Sequence, residues 1–242
     1  NTLVGGTAGD SITDGNTNVA IGYSALSSET SGDRNVAIGT SALGSQNNTS
    51  DTDVYNVAVG YQAGYAMTTG TNNVIVGGLA GDALTTGVAN VAVGTEALSS
   101  EDGHGGNTAI GHQSLKTQDA GTDAYNTAVG YYSGRLITTG TQNTIIGGLA
   151  GDALTTGNTN VALGYSALSS EDTGTRNTAL GYNSLKNQDF DGHGYNTAVG
   201  YDSGRLITSG VQNTIIGSLA GDALTTGSSN VALGFAALSG ED

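Results

Sequence analysis

The chain has 242 residues, of which 41 are Gly and none is Pro, Cys or Trp, and its formal net charge is −15. The missing Cys excludes a disulfide framework and thiol chemistry, and the acidic balance disfavours nucleic acid and anionic membranes as partners. Aromatic residues at 5% are too few for a conventional globular core, although regular Ala, Val, Ile and Leu positions argue against disorder.

Read in order, the chain is one motif repeated. Asn18-Val19-Ala20-Ile21-Gly22 shows it clearly: Asn, then Val or Thr, a small or aliphatic residue, then Ile, Val or Leu, then Gly. It begins at Asn1 and returns at Asn18, Asn35, Asn56, Asn73, Asn90, Asn107, Asn126, Asn143, Asn160, Asn177, Asn196, Asn213 and Asn230. The step is 17 residues, except for 21 after Asn35 and 19 after both Asn107 and Asn177. A fixed period of this length predicts a solenoid whose units bury their apolar faces only against neighbours. The absence of a third-position Gly period excludes a collagen helix.

The rungs fall into sets of four, giving super-repeats 1–72, 73–142, 143–212 and a partial 213–242 within one continuous solenoid, 1–242. The first rung type is Asn73 to Gly87, with Gly-Leu-Ala-Gly-Asp-Ala-Leu-Thr-Thr-Gly at its end. The second carries Ala-Leu-Ser and an acidic stretch, as at Ala97-Leu98-Ser99. The third holds the extra residues, and the fourth ends in segments such as Arg135-Leu136-Ile137-Thr138-Thr139-Gly140.

Each Asn-to-Gly run is β-branched at its second residue and bounded by turn formers, so it reads as a short strand. A second strand is expected over the Ala/Ser-Leu or Leu-Thr-Thr segment, with Gly-rich turns between. The fold class predicted is all-β, a parallel β-roll or flattened β-helix of about 14 rungs, roughly 65 Å long at about 4.8 Å per rung. Neither strand face looks solvated, and strands apolar on both faces are buried on both. A second copy of the chain is therefore expected to cover the outer face, making a homo-oligomer about a common axis. No run of about 18 apolar residues occurs, so no membrane insertion is expected. The start on a repeat Asn and the stop partway through a rung lead us to expect the interior of a longer protein.

Asn-Val-Ala-Ile-Gly-Tyr-Ser-Ala-Leu at 18–26 and the Thr-Thr-Gly-x-x-Asn ending at Asn73 resemble the 17-residue repeats of phage and bacterial tail-fibre proteins. The Asn-x-Ala-Ile-Gly core is also similar to the head repeats of trimeric autotransporter adhesins. The resemblance covers essentially the whole chain. It implies a left-handed parallel β-roll, three chains to a fibre, and an extracellular place on a virion tail fibre or a cell surface.

Four residue sets are candidates for specific roles. The Asn column from Asn18 to Asn230 is expected to form a structural amide ladder, each side chain donating to the next. Tyr165, Tyr182 and Tyr201 hold the same place in three successive rungs, so they suit an aromatic ladder, or alternatively a glycan-contacting strip. The acidic Gly-rich turns with Asp102, Asp189 and Asp191 offer oxygen ligands for Ca2+, and His104 and His193 lie beside them. Finally, Ile75, Ile145 and Ile215 replace Ala in the rungs that carry Gly78, Gly148 and Ser218, which reads as volume compensation in one core. A four-rung period also keeps Asp82, Asp152 and Asp222 about 19 Å apart, instead of stacking like charges on adjacent rungs. Three His, no Cys and no recognisable acid pair leave little to build a catalytic site, so no enzyme is expected. The leading expectation is a homotrimeric fibre shaft that presents a distal receptor-binding tip. The alternative is a glycan- or Ca2+-dependent adhesin module, with an ice-binding solenoid weaker because Thr-Thr-Gly occurs in only two rung types.

Overall fold

The computed structural model describes residues 1–240; Glu241 and Asp242, the end of the expected partial super-repeat, lie outside them. The chain forms two compact units, Asn1–Ala124 and Tyr125–Asp242, and each is a parallel β-solenoid. In the first, the strands Thr2–Val4, Val19–Ile21, Val36–Ile38, Val57–Val59, Val74–Val76, Val91–Val93 and Thr108–Ile110 pair in parallel, each with the next. The second repeats this with Thr127–Val129, Thr144–Ile146, Val161–Leu163, Thr178–Leu180, Thr197–Val199, Thr214–Ile216 and Val231–Leu233. About seven turns of one solenoid type thus make up each unit.

The strand register ignores the insertions. Ala20 pairs with Ala37 across 17 residues, yet Ala37 pairs with Ala58 and Ala179 with Ala198 at the same level of the coil. The extra residues are extruded into the turns instead. After Asn35 they support a short parallel pair, Gly32–Asp33 with Thr52–Asp53, where Arg34 and Asp53 form an ion pair. After Asn177 they bring His193 beside Thr175.

Counting each Asn as place one, places one and three point inward and places two, four and six outward. Asn73 and Ile75 are fully buried, as are Ala20, Ala37 and Ala162. Outward Ile21, Leu163 and Leu180 remain about 37–39% exposed. Along most strands a small Ala therefore faces the interior at place three, and bulkier aliphatic residues cover the outer surface.

The second expected strand is absent from the described residues; a turn takes its place. Residues at places seven and nine adopt left-handed backbone conformations, with φ of 53° at Ser24 and 50° at Leu26. For a non-Gly residue this costs on the order of 1 kcal/mol. Both N–H groups are nonetheless satisfied from opposite sides: Ser24 donates to the Gly6 carbonyl of the rung before at 2.9 Å. Leu26 donates to the Ala42 carbonyl of the rung after, also at 2.9 Å. A strand would send alternate side chains outward, whereas this turn turns Ala25 and Leu26 both inward, where they are fully buried. Burying two adjacent apolar side chains offsets the strained backbone.

The fifth-place Gly is required twice over. Gly22 has φ of 134°, and a Cβ there would lie 2.6 Å from the Gly39 carbonyl oxygen directly beneath it. Backbone stacks on backbone at this corner, so no side chain fits.

The interior compensates volume differently from the sequence expectation. Ile75 points inward while Gly78 lies on the outer surface with open space around it, so the two cannot compensate one another. Ile75 is accommodated instead by Gly81 at place nine, where a Cβ would meet Ile75 Cδ1 at 3.1 Å and Leu84 Cδ1 at 2.9 Å. Rungs with Gly at place nine carry Ile, Leu or Met at place twelve, as in Gly64/Met67 and Gly81/Leu84. Rungs with Leu at place nine carry Glu or Gln there, as in Leu26/Glu29 and Leu43/Gln46. The core thus alternates two apolar rungs with two polar ones.

Candidate functional site

The Asn column is buried from Asn18 to Asn213, and Asn230 in the last rung is half-buried. Its bonding differs from a simple side-chain ladder. Within each unit Oδ1 accepts the backbone N–H of the next Asn: Asn18 from Asn35 at 2.8 Å, Asn73 from Asn90 at 2.9 Å, Asn143 from Asn160 at 2.9 Å. In most rungs Nδ2 crosses its own coil to a carbonyl at place fifteen, as Asn73 does to Gly87 at 2.8 Å and Asn143 to Gly157 at 2.9 Å. Direct amide-to-amide bonds occur at Asn35–Asn18, Asn73–Asn56 and Asn230–Asn213. The Asn therefore clamps strand to turn within a rung and links it to the next, satisfying buried backbone groups at both points. Asn56, Asn126, Asn160, Asn196 and Asn213 donate in the same way. In the lengthened rung of Asn177 the Nδ2 has no hydrogen-bond partner.

The polar pair of rungs holds the most unusual chemistry. Glu29, Glu101 and Glu171 hold the same place twelve, all fully buried, with Gln46, Gln118 and Gln188 at place twelve of the next rung. The three copies are solvated very differently. Glu29 Oε1 accepts N–H bonds from Thr30, Ser31, Gly32 and Asn48 at 3.0, 3.2, 2.8 and 2.9 Å. Its Oε2 accepts Gln46 Nε2 at 2.8 Å and Asn48 Nδ2 at 3.0 Å. Burial alone would raise this carboxyl, but these donors together hold it below its ordinary value of 4.5. Glu171 has fewer donors: Gly174 N–H on Oε1 at 2.6 Å, with Gln188 Nε2 at 3.1 Å and Phe190 N–H at 3.4 Å on Oε2. Its carboxyl is pushed up by burial. Glu101 is the poorest: Oε1 meets the N–H and Nδ1 of His104 at 3.1 and 3.2 Å, while Oε2 has no hydrogen-bond partner. Burial pushes its carboxyl up as well.

Place thirteen, next to these glutamates, separates the copies further. In the first copy it is neutral, Thr30 bonding Asn47 through Oγ1 at 3.0 Å. In the others it is acidic on successive rungs, Asp102 with Asp119 and Asp172 with Asp189. The four-rung period therefore does not keep every like charge apart. Ligand atoms of Glu101, Asp102, His104 and Asp119 all lie within 4.8 Å of one another, and so do those of Glu171, Asp172 and Asp189. Of the sequence candidates, Asp102 and Asp189 thus join clusters, whereas Asp191 is turned to Thr173 Oγ1 at 2.5 Å and His193 to Thr175 Oγ1 at 2.7 Å. Sequence reasoning missed Glu171 and Asp119, and included Glu101 only as the first residue of the acidic turn that carries Asp102. The signal was present as an acid at place twelve in every second-type rung, where third-type rungs show Gln and the others Leu, Ile or Met.

Tyr165, Tyr182 and Tyr201 stack face to face, with centroids 5.6 and 5.3 Å apart and planes 14° and 7° from parallel. They lie on the outer surface, each about half exposed. Their faces are largely occupied by one another, leaving mostly edges to solvent, and a sugar ring needs a free face to stack on.

Among the described residues no helix is long and apolar enough to cross a membrane. No protein-family model, curated protein or solved structure matches this chain.

Proposed function

We propose that this chain is a structural shaft segment of an extracellular fibre, a homotrimer of the tail-fibre or cell-surface adhesin kind, holding a receptor-binding tip away from a virion or cell. The observation that carries the reading is the outer strand face. In a single chain it leaves columns of Val, Ile and Leu partly exposed, flanked by exposed Tyr23, Tyr61, Tyr131, Tyr165 and Tyr201. Contiguous apolar surface of this kind marks an interaction face. Because every rung repeats it, the partner best suited to it repeats with the same rise, which a second copy of the chain does. The 17-residue motif and its likeness to tail-fibre and adhesin repeats support the same reading. The coil itself supplies stiffness, with successive rungs within each unit bonded along strand, corner and Asn column.

Multi-angle light scattering of the 242-residue chain at micromolar concentration tests the assembly, with a mass of three chains expected. A single-chain mass overturns the trimer. A glycan array tests the shaft against the adhesin alternative: binding to the segment itself would contradict a purely structural role.

A further inference from the structure

We infer that Glu101, Asp102, His104 and Asp119 form a binding site for one divalent transition-metal ion of the Zn2+ class, held across two successive rungs. Proximity of acids alone would not carry this. The independent observation is Glu101, whose side chain is fully buried and whose Oε2 lacks any hydrogen-bond partner. An unpaired buried carboxylate oxygen is costly, and a cation is one of the few groups that remedies it. The first copy of the same place shows what an occupied carboxylate looks like there: Glu29 has six donors, including Asn48 from the lengthened neighbouring turn. Around Glu101 those donors are missing, and carboxylates of Asp102 and Asp119 stand in their region. Like charges one rung apart repel unless something positive lies between them.

The donor set points to the type of ion. Three carboxylates and one imidazole suit a four-coordinate ion of borderline softness, whereas Ca2+ takes six to eight oxygen ligands and no nitrogen is among its usual donors. His104 is also fixed in place. Its carbonyl accepts Asn90 Nδ2 at 2.9 Å, filling the place-fifteen position that Gly holds in most other rungs. The Asp102 carbonyl accepts the Thr85 N–H at 2.5 Å and Thr85 Oγ1 at 2.7 Å from the rung before. The backbone that carries two of the ligands is thus clamped by the solenoid itself, which preorganises the site. The cluster of Glu171, Asp172 and Asp189 lacks a His, and both Glu171 oxygens are partnered, so it is the weaker place for such an ion.

Calorimetric titration of the untagged, chelator-treated chain with ZnCl2 alone, and separately with CaCl2, tests the proposal. The tightest Zn2+ equivalent is expected to be one per chain, with Ca2+ weaker by about tenfold or more. His104→Ala and Asp119→Asn alter side chains that reach solvent, so both should fold, as circular dichroism checks. Each is expected to weaken Zn2+ binding by about tenfold or more, while Glu29→Gln leaves the affinity unchanged if it folds. Failure to bind Zn2+ at millimolar concentration overturns the site. So does Zn2+ binding that His104→Ala and Asp119→Asn leave intact, or a stronger affinity for Ca2+.

Discussion

Glu29 and Glu101 stand at the same place of the coil, in corresponding rungs of two super-repeats, and both are fully removed from solvent. One is surrounded by six hydrogen-bond donors, and the other keeps an oxygen without any. Half of the six come from Glu29's own turn and half from the following rung, where the two copies differ in length. Four extra residues after Asn35 let Asn48 fold back with two donors, whereas two extra residues after Asn107 come with Asp119. A solenoid fixes where a side chain goes, and the irregular turn beside it decides whether that side chain is a structural anion or a free ligand. The lesson is that insertions in a repeat protein are chemical differences, even where the strand register does not notice them.

The comparison is broken most severely at Glu29. Glu29→Gln turns one acceptor oxygen into a donor amid donors, and should cost about 4 kcal/mol in urea unfolding. Its pH dependence has a definite sign. Since the native carboxyl lies below 4.5, the ionised form stabilises the fold above that pH, and the contribution is lost as pH falls through the lowered native value. The gap in melting temperature between wild type and Glu29→Gln is therefore expected to be constant at neutral pH and to narrow below about pH 4.5. A gap that widens on acidification would contradict the cradle.

A control in an apolar rung comes next. Leu154, fully buried at place twelve beside Gly151, should lose about 3 kcal/mol on truncation to Ala through the cavity it leaves. Glu171→Gln, with three donors at stake instead of six, should cost about 1 kcal/mol by urea unfolding. Smallest is Glu101→Gln in chelator: removing a poorly solvated charge should change stability by no more than about 0.5–1 kcal/mol, in the stabilising direction. If Glu29 and Glu101 proved equally costly to neutralise, the contrast drawn between them would fail.

How much of this was legible in the sequence differs by level. The Asn-to-Gly run gave the strand, its two faces and the 17-residue step, because β-branched residues bounded by Asn and Gly have few other uses. Extrusion of the insertions after Asn35, Asn107 and Asn177 also follows from that step. The turn was misread as a strand because Leu26 and its counterparts adopt a left-handed backbone that Leu seldom takes. Only hydrogen bonds from rungs before and after make that conformation tolerable, and those are tertiary. The pairing of Ile75 with Gly81 rather than Gly78 was hidden for the same reason, since it depends on which way the chain turns after the corner. Asp102 and Asp189 were legible as oxygen ligands in acidic turns, but the place-twelve acids beside them were not, because a fully buried Glu is uncommon.

Inward and outward residues of one strand provide the most direct test of the fibre reading. Ile146, Leu163 and Leu180 point outward on three successive rungs, beside buried Ile145, Ala162 and Ala179. Sedimentation equilibrium of the triple variant Ile146→Lys/Leu163→Lys/Leu180→Lys, with circular dichroism recorded on the same sample, separates coil from assembly. The account predicts an unchanged β spectrum and a fall from three chains to one. A wild-type protein that already sediments as a single chain, or a variant that remains trimeric, would contradict it.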